Sequence, residues 1–130
     1  MQSKFFAVGS VVSWAQAGVG AIATQSYANV TYGPEGLERL AKGKTARETV
    51  KALTSADKDR RLRQLGIVDT RGNSASFTGS DCHDWAGHIE KPNFCAQGNI
   101  LTGKEVVNAM AASFEQSQKK AKGGLCDWLA

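Results

Sequence analysis

The chain has 130 residues, of which 42% are hydrophobic and 22% are charged, and its formal net charge is +4. This composition is typical of one globular domain and excludes fibrous and disordered proteins. No apolar run reaches the roughly 18 residues that a membrane span requires, so we expect no membrane partner. The three cysteines, Cys82, Cys95 and Cys126, form no CxxC pair. Their sparse, odd number argues against a disulfide framework and favours a reducing, cytoplasmic location.

The first two predicted elements are strands, at Lys4–Val12 and Val19–Tyr27, because both are short apolar runs bounded by Gly or Ser. The stretch Met1–Ala17 also imitates a secretory signal, with a lysine, an apolar core and an Ala-Gln-Ala site. Its apolar core is short and is interrupted by Gly and Ser. We therefore interpret this stretch as part of the fold.

Two helices are predicted next. Gly33–Pro34 opens the first helix, since proline is favoured in a first helical turn, and Gly43 ends it. Thr45 and Glu48 form a capping-box pattern, which starts a second helix that runs to about Ala56. The apolar positions of the two helices are Leu37, Leu40, Val50 and Leu53.

The second half of the chain predicts a hairpin, a loop, a strand and a long helix. This last helix starts with another capping-box pattern, Thr102–Glu105. The loop is long and polar, which is uncommon in a compact domain unless the loop carries a function. The elements before the helix are a strand at Leu62–Asp69, a turn at Thr70–Asn73, a returning strand at Ser74–Thr78, the loop at Gly79–Asn93 and a strand at Phe94–Leu101. One apolar face of the hairpin comprises Leu65, Ile67, Ala75 and Phe77.

The loop concentrates residue types that carry chemistry, namely both histidines, two aspartates, Cys82 and Trp85. Cys82 and His88 would form a nucleophile pair, since a neighbouring imidazolium lowers the pKa of a thiol. Alternatively, both histidines with Cys82 and Cys95 supply zinc ligands, although their spacing matches no common zinc motif. Two interpretations remain beside these: an ordered loop without chemistry, and a pocket in which Trp85 and His88 bind substrate. We predict no metal and no cofactor.

Two further groups of polar residues lie at strand ends. Gln97 and Asn99 flank Gly98, and their amides are suited to bond a ligand or a transition-state oxyanion. Thr24 and Asn29 lie at the end of the second strand, just before a helix N-terminus where an anion would bind. Hydrogen bonds to neighbouring loops and turns explain both groups equally well.

Several motifs together resemble one family over nearly the whole chain. They are Gln2–Phe5, Ala7–Val12, Trp14–Ala15, Gly18–Ala21, Thr24–Gln25, Tyr27–Asn29, Tyr32–Pro34, Trp85–His88 and Gln97–Asn99. The chain resembles the bacterial and archaeal family called domain of unknown function 1028, placed in the Ntn-hydrolase superfamily. The resemblance implies an α+β fold, a four-layer αββα sandwich in which two antiparallel sheets lie between layers of helices. It also implies that this chain is an incomplete domain at both ends.

The resemblance also implies a mechanism. In this superfamily the nucleophile is a Thr, Ser or Cys that begins the first strand, and its own α-amino group is the general base. Family members carry an extra strand and turn before Gln2, so the resemblance implies that the nucleophile and the closing strands are missing from this chain. The site residues that it implies are Lys4, Thr24 and Asn29 near the nucleophile, Gln97 or Asn99 as oxyanion donor, and His88 and Trp85 in the pocket wall.

The predicted function is therefore hydrolysis of an amide bond in a small-molecule or peptide-like substrate, with this chain inactive by the superfamily mechanism. The alternative is a non-catalytic binding or assembly module that forms homo-oligomers through its sheet edges. We expect no nucleic-acid partner. The basic residues between Arg39 and Arg63 are interleaved with acidic ones, and no aromatic platform alternates with them.

Overall fold

Helices and antiparallel strands make up the structure, a computed structural model that describes residues 3, 5–120 and 124. The elements in chain order are α1 (Gly9–Val12), β1 (Ser13–Gln16), β2 (Gly20–Ser26), α2 (Tyr32–Ala41), α3 (Ala46–Ala56), a 3₁₀ helix (Arg60–Leu62), β3 (Arg63–Asp69), β4 (Ser74–Thr78), β5 (Gly87–Lys91), β6 (Phe94–Gly98) and α4 (Lys104–Lys120). The fold is mixed α+β, as the sequence predicted. Among the described helices, none combines the length and the apolarity needed to cross a bilayer.

The larger sheet contains β1 to β4, and each strand pairs antiparallel with the next one along the chain. Side chains alternate between its two faces, and Leu65 and Ile67 of β3 share one face. Their partners across the ladder are Phe77 and Ala75 of β4, respectively. Leu65, Ile67 and Ala75 are buried in the core, and Phe77 packs against it. The single apolar face predicted for this hairpin is confirmed.

Helices α2 and α3 cover this face and complete the core. The capping box of α3 is confirmed: the Glu48 N–H donates to Thr45 Oγ1 at 3.2 Å, and the Thr45 N–H donates to the Glu48 carboxylate at 2.8 Å. Gly36 lets α2 approach the sheet closely, because a Cβ at this position would lie only 2.4 Å from Ile22 Cδ1. Gly43, with φ +84°, follows the end of α2 as predicted.

The hairpin of β5 and β6 lies on the opposite face of the larger sheet. A Cβ on Gly66 of β3 would lie 2.8 Å from Cys95 Sγ and 2.9 Å from Gln97 Oε1, so β6 packs directly on this glycine. On the other side of the hairpin, the rings of Phe94 and Phe114 meet with centroids 4.7 Å apart. The packing order is therefore α2 with α3, the four-stranded sheet, the hairpin, and then α4.

The first predicted strand is wrong. The described part of Lys4–Val12 forms turns and the short helix α1. The hydroxyl of Ser10 donates to the Ala7 carbonyl, and that of Ser13 donates to the Gly9 carbonyl. These local side-chain bonds compete with strand pairing and stabilise a helical turn.

The predicted loop Gly79–Asn93 is wrong in its last part, which contains β5. β5 has one aliphatic side chain, Ile89, between charged and polar neighbours, so its own sequence gives no strand pattern. Its order comes from antiparallel pairing with β6 across a tight turn in which Asn93 adopts φ +71°. Asparagine tolerates this left-handed conformation better than most residues.

Candidate functional site

Polar side chains converge at one end of the two sheets, where β2, β4 and β6 end and β3 and β5 begin. We term this region the polar end and define it by five residues from four strands and the turn after β6. They are Gln64, Thr78, His88, Gln97 and Asn99. Three of them, His88, Gln97 and Asn99, are residues that the sequence predicted for a site.

Gln64 is the centre of the polar end and is fully buried, at 0% exposure. Its Nε2 lies 3.0 Å from Thr78 Oγ1, 3.1 Å from the Gly87 carbonyl oxygen and 2.8 Å from the Gly98 carbonyl oxygen. Its Oε1 accepts a hydrogen bond from Asn99 Nδ2 at 3.2 Å. One side chain thus ties β3 to β4 and to the hairpin. The sequence analysis missed it, although a glutamine directly before the apolar run Leu65–Val68 was a usable signal.

Thr78 and His88 form a hydroxyl–imidazole pair, with Thr78 Oγ1 2.8 Å from His88 Nδ1. Because Thr78 Oγ1 accepts from Gln64, its own proton is available for donation to the imidazole. Burial lowers the pKa of His88 below its usual value of 6.5, and the negative charge of Glu90 opposes this effect. The ring is therefore predominantly neutral at pH 7, and in the tautomer that carries its proton on Nε2, Nδ1 accepts the Thr78 proton.

Gln97 belongs to the polar end, and Trp85 borders it. Gln97 Nε2 donates to the Ala23 carbonyl at 3.1 Å, whereas its buried Oε1 has no partner among the residues described. The half-buried Trp85 lays its ring against Gly87, where a Cβ would lie 2.3 Å from the indole. The backbone of Trp85 exchanges two hydrogen bonds with Leu101. The Gly87 contact and the Leu101 bonds hold the segment before β5 against the turn after β6.

Cys82 and His88, the pair proposed from the sequence, have different polar partners. The buried Cys82 donates its thiol proton to the Arg63 carbonyl at 3.3 Å, while His88 bonds Thr78. His83 packs its ring against Tyr27, with centroids 5.5 Å apart. Within the described ranges, no group of three or more His, Cys, Asp or Glu residues is placed to hold a metal ion.

Thr24, Asn29 and Lys4 complete the predicted set. Thr24 is fully buried and donates to the backbone carbonyl of Gln64 at 2.9 Å, directly beneath the polar end. Asn29 lies in a separate cluster, where its Nδ2 donates to Asp57 Oδ2 at 3.1 Å. Lys4 lies outside the described residues.

The separate cluster is centred on Asp57, which the sequence analysis did not single out. Its carboxylate accepts hydrogen bonds from Asn29, from the Tyr32 hydroxyl at 2.9 Å, from Arg63 Nε at 3.0 Å and from the Asp59 N–H at 2.8 Å. Burial by itself raises the pKa of Asp57, but these bonds outweigh it and hold the pKa well below its usual range. Burial and the bond to Asp57 raise the pKa of Tyr32. With its charge matched by Arg63, the cluster anchors the start of β3, next to Gln64.

Comparison with known proteins identifies the family. A family model described as "Family of unknown function (DUF1028)" matches residues 1–129. No curated protein matches the chain. Among solved structures, the crystal structure of protein SPO2555 from Silicibacter pomeroyi, assigned to the same family, is similar, with 31% identity and a TM-score of 0.85. The similarity covers 94% of this chain and 53% of that one, so this chain spans about half the length of its relative. The chain belongs to the DUF1028 family, whose function is unknown.

Proposed function

We propose that the polar end hydrolyses an amide bond in a small-molecule or peptide-like substrate. The observation that carries the proposal is the Thr78 hydroxyl, which lies 3.0 Å from the amide donor Gln64 Nε2 and 2.8 Å from the imidazole nitrogen His88 Nδ1. A nucleophile held by a neighbouring base is the recurring arrangement of acyl-transfer sites. In this proposal Thr78 Oγ1 is the nucleophile and His88 Nδ1 is its general base.

The proposed reaction proceeds in two steps. Thr78 Oγ1 attacks the amide carbonyl carbon as its proton passes to His88 Nδ1, and the resulting imidazolium then protonates the leaving amine as the C–N bond breaks. Water, deprotonated by the same imidazole, hydrolyses the ester on Thr78 and restores both groups. Asn99 Nδ2 uses one N–H on Gln64 and retains a second N–H, which is a candidate donor to the oxyanion.

We also propose that the packing order forms the four-layer αββα sandwich of Ntn hydrolases. Its support is the order of α2 with α3, the four-stranded sheet, the hairpin and α4. His88 is exposed and Asn99 is half-buried, so a substrate can reach these two residues of the polar end from solvent.

Amine release from a panel of N-acetyl amino acid amides tests the proposed hydrolysis. Thr78→Val preserves the shape of the side chain but removes the hydroxyl, and we expect it to lower kcat by about 10²-fold or more. Thr78→Ser should retain activity, and Thr102→Val, at an exposed position outside the polar end, is the matched control. The wild-type rate should rise with pH through a midpoint below 6.5, because burial lowers the pKa of His88.

The assay has two informative failures. If the wild-type chain releases no amine above the buffer rate across the panel, the proposed function is wrong. If Thr78→Val is as active as the wild type, hydrolysis stands but its nucleophile lies elsewhere.

The second candidate function is binding or assembly through a sheet edge. It is favoured by β6, which pairs with β5 alone among the described strands and contains no charged residue. Charged side chains and proline are the usual protection of such edges. Sedimentation across a range of protein concentrations tests self-assembly directly, and a monomer at every concentration would contradict it.

A further inference from the structure

Strand β4 is bridged to β5 by side chains instead of a backbone ladder. Within the described structure β4 pairs with β3 alone, and β5 pairs with β6 in the hairpin. Three bridges join β4 to β5, one at every second residue of β4. They are Ser74 Oγ to the Lys91 carbonyl oxygen at 2.8 Å, the Ser76 backbone N to Glu90 Oε1 at 2.6 Å, and Thr78 Oγ1 to His88 Nδ1 at 2.8 Å. The proposed nucleophile and its base are therefore the last of three contacts in a row.

Glu90 makes the middle bridge, and both of its carboxylate oxygens are bonded. Oε1 accepts from the Ser76 backbone N–H, and Oε2 accepts from Arg47 Nη2 of α3 at 3.1 Å. The side chain of Glu90 is 29% exposed, whereas that of Arg47 is 79% exposed. Solvent screens an ion pair with so exposed a partner, so the charge-assisted bond to Ser76 is the stronger of the two. The carboxylate thus holds β5 against the backbone of β4.

This bridge is adjacent to the contact between Thr78 and His88. Glu90 and His88 are two residues apart on β5, so their side chains lie on the same face of the strand. Ser76 and Thr78 are likewise two residues apart on β4. Without the Ser76–Glu90 bridge, β5 can move away from β4 at the next contact along the strands. The 2.8 Å bond between Thr78 and His88 is lost if the two atoms separate by about a further 1 Å.

The charge of Glu90 acts on the same histidine. Its carboxylate raises the pKa of His88, against the larger effect of burial. In the proposed reaction His88 becomes an imidazolium when it takes the Thr78 proton, and a nearby negative charge stabilises that cation. Glu90 therefore does two things that support a general base, since it fixes the base in place and favours its protonated form.

We propose that Glu90 is a positioning residue, which holds β5 on the edge of β4 and thereby sets the contact between Thr78 and His88. Glu90 acts through His88, and in the proposed reaction it neither exchanges a proton nor contacts the substrate. The catalytic part of this role rests on the proposed hydrolysis, whereas the contact between Thr78 and His88 can be measured without turnover.

Amine release by two Glu90 variants tests the catalytic part. Glu90→Ala removes the acceptor for the Ser76 N–H, and we expect kcat to fall at least about tenfold, since a displacement of about 1 Å can cost about 10²-fold. KM should stay within about twofold of the wild-type value, because no contact with the substrate is lost. Glu90→Gln keeps an oxygen acceptor for the Ser76 N–H and loses only the charge. Its kcat should fall by less than about fivefold, because a charge near solvent acts weakly.

The matched control is Lys91→Ala, at the next position of β5. Lys91 pairs with Glu115 of α4 at 3.3 Å. The substitution also removes a charged side chain and an ion pair from β5, but it leaves the Ser76–Glu90 bond and the Lys91 carbonyl in place. Its kcat should match that of the wild type within about twofold, since an exposed ion pair contributes little. The control separates the positioning of His88 from the general stability of β5.

Nitrogen-15 NMR of the His88 ring, above its titration midpoint, measures the contact without turnover. In the wild type, the bond from Thr78 to Nδ1 should hold the ring in the tautomer with its proton on Nε2. Glu90→Ala should give a mixture of both tautomers and faster hydrogen exchange at the Ser76 amide. Glu90→Gln and Lys91→Ala should each keep one tautomer. A merely structural role of Glu90 would change the exchange rate at Ser76 but not the tautomer.

The two proposals fail in different ways. Wild-type protein that releases no amine contradicts the hydrolysis, and the tautomer of His88 in Glu90→Ala then decides the role of Glu90 by itself. A single tautomer in Glu90→Ala overturns the positioning role whatever the activity of that variant, and it leaves hydrolysis standing where amine is released. Equal losses of kcat in Glu90→Ala and Glu90→Gln also overturn it, because charge and not position would then set the activity. Equal losses in Glu90→Ala and Lys91→Ala overturn it as well, since both would reflect the general stability of β5.

Discussion

The polar end and the outer edge of β6 share residues of the β5–β6 hairpin but differ in how their polar groups are satisfied. At the polar end, a buried amide, a hydroxyl, an imidazole and a second amide bond one another within 3.2 Å. Along β6, the surroundings are apolar, and within the described part of the chain no strand other than β5 pairs with its backbone. A closed hydrogen-bond network fixes the positions of a few side chains, whereas an apolar strand edge is suited to pairing with a further strand.

Gln97 lies between the two regions and has features of both. Its Nε2 is bonded to Ala23, as polar groups are at the polar end, whereas its buried Oε1 lacks a partner within the described structure. One strand can therefore contribute to two surfaces, because the end of β6 meets other strands whereas its outer edge pairs with no described strand.

The largest expected effect on stability comes from a substitution that disrupts the hydrogen bonds of the polar end. Gln64→Leu removes the donor shared by Thr78, Gly87 and Gly98 and leaves these acceptors buried without it. We expect the free energy of unfolding to fall by about 2–4 kcal/mol, measured by urea denaturation. The matched control, Gln16→Leu at an exposed position of β1, should change it by less than about 0.5 kcal/mol. Equal effects of the two variants would show that the network does not stabilise the fold.

The next largest effect concerns the Asp57 cluster, which lies beside the polar end. Asp57→Asn should lower the free energy of unfolding at pH 7 by about 1.5–3 kcal/mol, because hydrogen bonds to a charged group are lost. The pKa of Asp57 is lowered in the folded state. Its contribution is therefore complete above the unfolded pKa near 4 and is lost as the pH falls through the folded pKa.

The free energy of unfolding, measured between pH 2 and pH 7, tests whether the stabilisation by Asp57 is lost as the pH falls. Asp57→Asn should lose less stability than the wild type over the acid range, since it lacks the titrating carboxylate. Parallel pH curves for the two proteins would contradict the assigned network. Asp69, whose pKa is also lowered by hydrogen bonds despite its burial, should account for part of the acid sensitivity that remains.

A substitution at the contact between β3 and the β5–β6 hairpin should displace both the polar end and the outer edge of β6, because residues of the hairpin contribute to both. In Gly66→Ala, the new Cβ meets Cys95 Sγ at 2.8 Å, so the hairpin must shift away from β3. We expect a loss of about 1–3 kcal/mol on unfolding and NMR shift changes along β6. Gly9→Ala, where nothing lies within 4 Å of the added carbon, is the control. A stable Gly66→Ala protein with unchanged β6 shifts would argue against the tight contact.

The smallest effect concerns His88 alone. NMR titration of its ring should give a midpoint below 6.5, and Glu90→Gln should lower it further because the Glu90 carboxylate raises the pKa. Because the folded pKa is lowered, stability from this residue is present above the unfolded pKa and is lost as the pH falls through it towards the folded value. A midpoint at or above 6.5 would remove the basis for a neutral imidazole at Thr78.

Local patterns predicted much of the fold. The capping box at Thr45 and the turn at Thr70–Asn73 were predicted from neighbouring residues, because the bonds that form them join residues close in sequence. β5 was missed for the opposite reason: it forms a strand because it pairs with β6, and its own sequence does not alternate between apolar and polar residues. In the site, His88 was singled out from its residue type. Its partner Thr78 was not, because no spacing rule brings a strand end and the start of another hairpin together.

The sequence by itself determined that the chain contains both helices and strands, the helix boundaries set by caps and glycines, and the apolar face of the β3–β4 hairpin. These features follow from the periodicity of apolar residues and from short-range hydrogen bonding, both of which depend only on residues close together in the sequence. Only the tertiary structure decided that Gln64 joins three strands and the turn after β6, that Asp57 holds Asn29 instead of leaving it for an anion, and that β6 pairs with β5 alone among the described strands. Each of these depends on groups far apart in sequence, and packing alone brings them within bonding distance.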